Sequence, residues 1–261
     1  WAGEELDETP TGDAVAIENP GYRGARAVFQ AVGAKIVPVP CDNEGIVVDL
    51  IPDDARVIYV TPSHQFPTGS VMSASRRLEL LTKATRIGAI IIEDDYDSEF
   101  RYEGRPLAAL QGLDEGGRVI YTGTLSKVLL PALRLGYMVA PPGLQPAITG
   151  AKWLTDRHVA LVYQAVLALF IDEGHFERHL RRMRKVYETR RTTMLAAFDE
   201  HFGDRATITG TESGMHVLVN IHGISDADEF MQSARAKGVG IYSARPYYLG
   251  EPPPGASFLM G

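Results

Sequence analysis

Cysteine is all but missing from this chain. Cys41 is the single one, so no internal disulfide can form, and a reducing, cytoplasmic setting is expected. Long apolar runs are missing too. No stretch reaches the roughly 18 consecutive apolar residues of a membrane-spanning helix, and no membrane role is expected. Positive charge is in deficit: 26 Lys and Arg stand against 33 Asp and Glu, a formal net charge of −7. An acidic chain repels phosphate backbones, so this segment is not expected to grip DNA by itself. Residues 1–13 lack a basic region followed by an apolar core and do not read as a signal peptide. Internal repeats and low-complexity segments are absent. What remains is 261 residues of ordinary globular composition, enough for one large domain or two smaller ones.

Short apolar runs alternate with helical patterns. Residues 14–17, 35–39, 56–60, 89–92 and 119–121 read as strands, and Pro38 assigns the second of them to a sheet edge. Residues 23–31 read as a helix. So do residues 73–86, with a serine at the start and apolar residues at 78, 81 and 84. Buried strands separated by helices predict a mainly parallel sheet covered on both faces, with ligands at the carboxyl ends of its strands. Further on, the pattern predicts a smaller α+β unit. It has an apolar helix over 160–171, a long hinge helix over 176–202 and a strand over 215–221. A helix near 225–237 and a strand over 239–242 complete it. The expected division is 1–170 for the large domain and 171–261 for the small one, with a loop at 251–255 and a strand cut short at 259–261.

The string richest in chemistry is Thr122-Gly-Thr-Leu-Ser-Lys127, followed by Arg134 and set between two apolar runs. A lysine whose amine is partly desolvated by apolar flanks can form a Schiff base. Upstream, Glu93-Asp-Asp-Tyr-Asp97 ends another apolar strand. An aspartate there can hold a pyridinium nitrogen protonated, so that the ring acts as an electron sink. Together they form the protein's half of pyridoxal 5'-phosphate (PLP) chemistry. Ser126 and Thr124 are natural phosphate ligands, and the Arg134 fork suits the same group. Strand alternation places Asp94 and Tyr96 on one side, with the tyrosine able to bond the ring's phenolic oxygen. They are preferred over Asp95 and Asp97. In the turn Thr61-Pro-Ser-His-Gln-Phe-Pro-Thr-Gly69, His64 has two open roles: a cofactor contact or a backbone bond. Tyr22 either stacks on the ring or packs at a helix start. No metal centre is expected. Arg178, Arg181, Arg182, Arg184, Lys185, Arg190 and Arg191 on the long helix read as a solvated face with intrahelical acid pairs rather than a DNA-contacting stripe.

These strings, with Glu18-Asn-Pro-Gly-Tyr-Arg-Gly-Ala-Arg26, resemble fold-type I PLP enzymes, the aspartate aminotransferase superfamily. More specifically, residues 12–261 resemble the aminotransferase-like domain of MocR-type regulators of the GntR family, in the branch that senses PLP and controls pyridoxine synthesis. The resemblance implies an α/β, PLP-dependent transferase fold with a smaller C-terminal α+β domain. It assigns the Schiff base to Lys127, the pyridine nitrogen to Asp94, the phenolic oxygen to Tyr96 and the phosphate to Arg134. It also implies a head-to-tail homodimer. DNA would be contacted only through an N-terminal winged helix-turn-helix domain that this chain does not include.

The chain departs from the enzymes of that superfamily. Their glycine/serine phosphate loop precedes the segment beginning here at Asp13, Phe66 stands where they carry asparagine, and Leu259 stands where an arginine clamps the substrate carboxylate. Arg245 is the best substitute for that arginine, with a structural ion pair as its other role. The expected function is a PLP-binding effector and dimerisation domain, a sensor more than an enzyme. The alternatives are a PLP-dependent aminotransferase acting on an amino acid and a scaffold domain with a dead pocket.

Overall fold

A computed structural model of the chain describes residues 12–104, 107–224 and 226–261. The opening segment read above as no signal peptide lies outside these residues through position 11, as does Ser225 at the start of a predicted helix.

The first half builds β1 (Ala14–Asn19), α1 (Arg23–Ala31), β2 (Lys35–Asp42), β3 (Gly45–Ile46), β4 (Ala55–Val60), α2 (Ala74–Ile87), β5 (Ile90–Asp95), α3 (Leu110–Leu113), β6 (Val119–Thr124) and β7 (Gly136–Val139). These strands form one sheet in the order β3-β2-β1-β4-β5-β6-β7. Its middle, from β2 through β6, is parallel; β3 and β7 run antiparallel at the two edges. Pro38 and Pro40 lie in β2, whose outer side is paired only at Cys41 and Asp42, so the edge position read from proline holds over most of that strand.

Ser73 starts α2 by accepting a bond from the Arg76 N–H, and Gly88 ends it in a left-handed conformation at φ 74°. The helix is rotated from the expected face. Arg77, Leu80 and Ala84 point inward while Leu78 is exposed. The cause is Glu93 on β5, buried and 3.5 Å from the Arg77 Nη1, which draws the arginine into the core. Leu80 and Ala84 pack with Ile58, Ile91, Leu110 and Val119 on one face of the sheet. Val15, Ile17 and Tyr59 meet Phe29 of α1 on the other.

The second half contains α4 (Gln145–Thr155), α5 (Leu161–Asp172), α6 (His175–Phe202), β8 (Ala206–Thr209), β9 (Val217–Ile221), α7 (Ala227–Ala236), β10 (Tyr242–Ser243) and β11 (Ala256–Met260). Its strands form an antiparallel sheet in the order β10-β11-β9-β8. Sequence reasoning had not identified α4 or β8, and the strand expected over 239–242 forms only at Tyr242–Ser243.

The helix α6 serves both halves. Leu180, Met183 and Tyr187 pack with Phe100, Leu125 and Val128 beside the large sheet. Further along, Met194, Phe198 and Phe202 pack against Val219 and Phe258 of the small one. Its arginines only partly follow the intrahelical pairing expected. Arg181 meets Glu177 at 3.6 Å, but Arg184 bonds the Glu99 carbonyl and Arg191 bonds Glu103. No helix among the described residues is long and apolar enough to cross a membrane.

Candidate active site

At the carboxyl ends of the parallel strands the large sheet meets the small one around a cavity of about 610 Å3. Tyr22, Asp94, Tyr96, Thr124, Ser126, Lys127 and Arg134 all line it, drawn from four separate segments of the first half. The small sheet contributes Met215, His216, Tyr242 and Leu259.

Asp94 owes its position to the alternation of β5. Ile91, Glu93 and Asp95 are buried on one face of the strand, while Asp94 points to the other and into the cavity. The acids of the opposite face are spent on structure. Glu93 accepts the backbone N–H groups of Leu110 and Gln111, both at 2.9 Å, at the start of α3. Asp95 accepts the Tyr121 hydroxyl at 2.8 Å and the Ser98 N–H at 3.2 Å. Asp94 itself accepts the Tyr59 hydroxyl. Burial raises its pKa, and the Tyr59 bond works against that rise.

Lys127 follows β6 directly. Leu125 and Val128 turn into the core, whereas Lys127 is exposed to the cavity, so the expected desolvation by apolar flanks does not occur. The turn after β6 that buries these two leaves the amine outside. Its side chain makes no hydrogen bond or ion pair among the described residues. Ser126 and Thr124 share a turn in which the Ser126 N–H donates to the Thr124 hydroxyl at 3.2 Å. Arg134 follows the short turn Pro131–Leu133 and takes a left-handed conformation at φ 52°. A non-glycine residue held there stores on the order of 1 kcal/mol, and such strain gathers at functional positions.

The aromatic wall centres on Phe66. Its ring meets Tyr247 at 4.8 Å, His216 at 5.3 Å, Tyr22 at 5.8 Å and Tyr96 at 6.1 Å, each edge to face. Beneath it lies Glu18, 2% exposed. Its Oε2 accepts the Thr61 hydroxyl at 2.6 Å, the Thr61 N–H at 3.2 Å and the Gln65 amide at 3.3 Å. The same amide donates to the Pro20 carbonyl at 2.8 Å, which ties the Tyr22 turn to the Phe66 turn. Burial pushes the Glu18 carboxyl up to about 7.

Three expected positions differ. His64 is 1% exposed and stands behind the cavity wall, with Nδ1 3.0 Å from the Asp97 Oδ2. That carboxylate also accepts the Met215 N–H at 3.0 Å, so the pair joins the two halves; Asp97 lines the cavity and His64 does not. The Tyr96 ring reaches the cavity, but its hydroxyl donates to the His64 carbonyl at 2.8 Å instead of pointing to a cofactor oxygen. Burial, with Asp97 nearby, raises its pKa. Arg245 lies in a separate cavity of about 200 Å3 with Tyr248 and Ser257, away from Lys127.

Sequence reasoning had missed His216 and had set Asp97 aside in favour of Asp94, yet both line the cavity. The available signal for His216 was a histidine in Gly214-Met-His-Val217, at the mouth of an otherwise apolar strand. Burial, with His64 beside it, lowers its pKa to about 4, so it is neutral at neutral pH. His64, Asp97 and His216 bring their ligand atoms within 4.8 Å of one another, a spacing a metal ion could use. Within the trio only His64 and Asp97 bond each other; Asp97 also accepts the Met215 N–H, and His216 lies 3.3 Å from the Pro67 carbonyl, while His64 Nε2 and Asp97 Oδ1 have no partner among the described residues.

An amine, a half-buried carboxylate lining the same cavity, two hydroxyls and an arginine on a strained turn form a donor set that fits PLP. The fold and this set belong together: the chain is a member of the aminotransferase class I and II family, whose pattern matches residues 8–256. Among its relatives is the HTH-type transcriptional regulator YhdI of Bacillus subtilis, 41% identical over 96% of this chain and 53% of that protein. Another is the probable rhizopine catabolism regulatory protein MocR of Rhizobium meliloti, 39% identical over 95% of this chain and 50% of that one. The crystal structure of Pyrococcus horikoshii kynurenine aminotransferase superposes with a TM-score of 0.86 at 32% identity, covering 95% of this chain and 64% of the enzyme. The chain therefore spans about half the length of the curated relatives it matches.

Proposed function

We propose that this chain is the PLP-binding effector and dimerisation domain of a bacterial transcription regulator. The observation that carries the reading is the composition of the cavity. Lys127 and Arg134 are its only cations among the described residues, and Leu259 faces them from β11 with no donor to offer. PLP supplies a carbonyl that an amine can condense with and a ring that withdraws electrons. Arg134, with the hydroxyls of Ser126 and Thr124, would hold the phosphate. Asp94 would keep a proton on the ring nitrogen, and Tyr22 would cover the ring face. With both cations so used, none remains for an amino-acid carboxylate. Ligand binding between the two sheets would favour one arrangement of them over another, as a sensor requires. The regulators among the relatives support this role, with DNA contacted by a separate segment. A homodimer fits the exposed Leu161, Val162 and Val166 of α5 and Trp153 and Leu154 of α4, and sedimentation of the chain tests it.

The experiment is borohydride reduction after incubation with PLP. The label is expected on Lys127, and a specific label elsewhere in Lys127→Ala would overturn the assignment. The superposition on an aminotransferase favours a second reading, an aminotransferase, in which the Lys127 amine moves the proton. Rapid conversion of bound PLP to its amine form by any common amino acid, and its return with a keto acid, would establish that reading instead.

A further inference from the structure

A second cavity, of about 300 Å3, lies on the other face of the β5 end. Asp94 lines the first cavity and Asp95 lines this one, as strand alternation requires. Three guanidinium groups reach it, from Arg77, Arg101 and Arg184. Two are already engaged. Arg77 donates to the Met72 carbonyl at 3.1 Å and the Pro62 carbonyl at 3.0 Å and pairs with Glu93. Arg184 donates to the Glu99 carbonyl.

Arg101 is different. Its guanidinium has no hydrogen bond or ion pair among the described residues, yet its Nε is sealed from solvent. An N–H sealed from water without an acceptor carries a desolvation cost that a ligand's oxygen would offset. The acids of the cavity do not answer it. The oxygens of Asp95 accept from Tyr121 and Ser98, and neither bonds Arg101 among the described residues. The Glu99 carboxylate lines the same cavity and makes no bond or ion pair with Arg101 among the described residues. A cavity onto which three guanidinium groups converge, one of them with an unanswered buried N–H, can receive an anion.

We propose that this cavity is a second ligand site, which takes a small anion carrying a carboxylate or phosphate group on the Arg101 guanidinium. Its walls are the first cavity's walls seen from behind. Ser63 precedes His64, Asp95 lies between Asp94 and Tyr96, and Ser213 precedes the segment that carries His216. An anion bound here therefore bears on three segments that shape the PLP cavity, and the site does not depend on what the first cavity binds.

The test is calorimetric titration of the folded chain with inorganic phosphate and, separately, with acetate, at constant ionic strength. Arg134→Gln serves as the background, because it removes the anion partner of the first cavity. One saturable site is expected to persist in that background. Adding Arg101→Gln should weaken it by about tenfold or more, the worth of one charge-assisted hydrogen bond. Ser98→Asp, which keeps Arg101 but places a competing carboxylate in the same cavity, should weaken it too and serves where the arginine variant fails to fold. Binding of phosphate alone assigns a phosphoryl ligand, and binding of acetate as well assigns a carboxylate. No saturable binding of either anion, or binding indifferent to both substitutions, overturns the proposal.

Discussion

Replacing Glu18 with glutamine should remove a pH dependence from the stability of this protein. Burial raises the carboxyl from 4.5 to about 7, against the opposing effect of the Thr61 and Gln65 bonds. Between those two values the folded chain keeps a proton that the unfolded chain has released. The folded state binds more protons there, so its stability falls as pH rises. Below 4.5 the carboxyl is protonated in both states and the penalty is absent; above about 7 it is ionised in both and the penalty is complete. At about 1.4 kcal/mol per unit, this gap is worth on the order of 3 kcal/mol.

Glutamine cannot ionise. Its oxygen can take over the Oε2 position, which accepts from Thr61, while its amide nitrogen falls where Oε1 has no partner. An unanswered buried amide costs about 1–3 kcal/mol. The variant is therefore expected to be less stable than the wild type under mildly acidic conditions and equal or more stable under mildly basic ones. Urea unfolding followed by circular dichroism, at a series of pH values spanning that gap, reads the difference directly. The informative quantity is variant minus wild type, because other groups titrate equally in both. A difference that stays constant across the series would refute the assignment of a raised pKa to Glu18.

Other substitutions probe the remaining parts. Lys127→Ala should abolish PLP trapping and change stability by no more than about 0.5 kcal/mol, since the side chain is exposed; a large drop in melting temperature would show that the lysine is packed. Gly214→Ala should destabilise by about 2 kcal/mol or more. Gly214 has φ 81°, and a Cβ there falls 2.0 Å from the His64 Nδ1, so wild-type melting would mean that this segment does not press on His64. Leu259→Arg, which restores a carboxylate partner at the cavity, should speed amino-acid-dependent loss of bound PLP, and an unchanged rate would show that a missing arginine is not what limits the native chain.

Much of the large sheet was legible because its strands are continuous apolar runs. Residues 56–60, 89–92 and 119–121 fall within or beside β4, β5 and β6, and each site string lies at a strand end, where parallel sheets place ligands. Less was legible where tertiary partners decide. The inward face of α2 follows Arg77, whose burial depends on Glu93 sixteen residues away and cannot be read from helical periodicity. Nor could sequence show that Tyr96 spends its hydroxyl on the His64 carbonyl, or that the opposite sheet brings His216 to the same wall.

The acidic turn shows why a motif alone assigns chemistry poorly. Four carboxylates crowd into Glu93 to Asp97 and look equivalent on the page. Alternation sends Glu93 and Asp95 to one face, where backbone N–H groups, Arg77 and Tyr121 claim them. Asp97, past the end of the strand, ties His64 to the small sheet through the Met215 N–H. Asp94 lines the cavity with Lys127 and has a single hydroxyl bonded to it, whereas Asp97, which also lines it, is held by His64 and Met215. The engaged oxygens of Glu93 and Asp95 single it out as firmly as its own position does. A carboxylate can serve a ligand only when the fold has not already used it, and that is settled by partners far away in the chain.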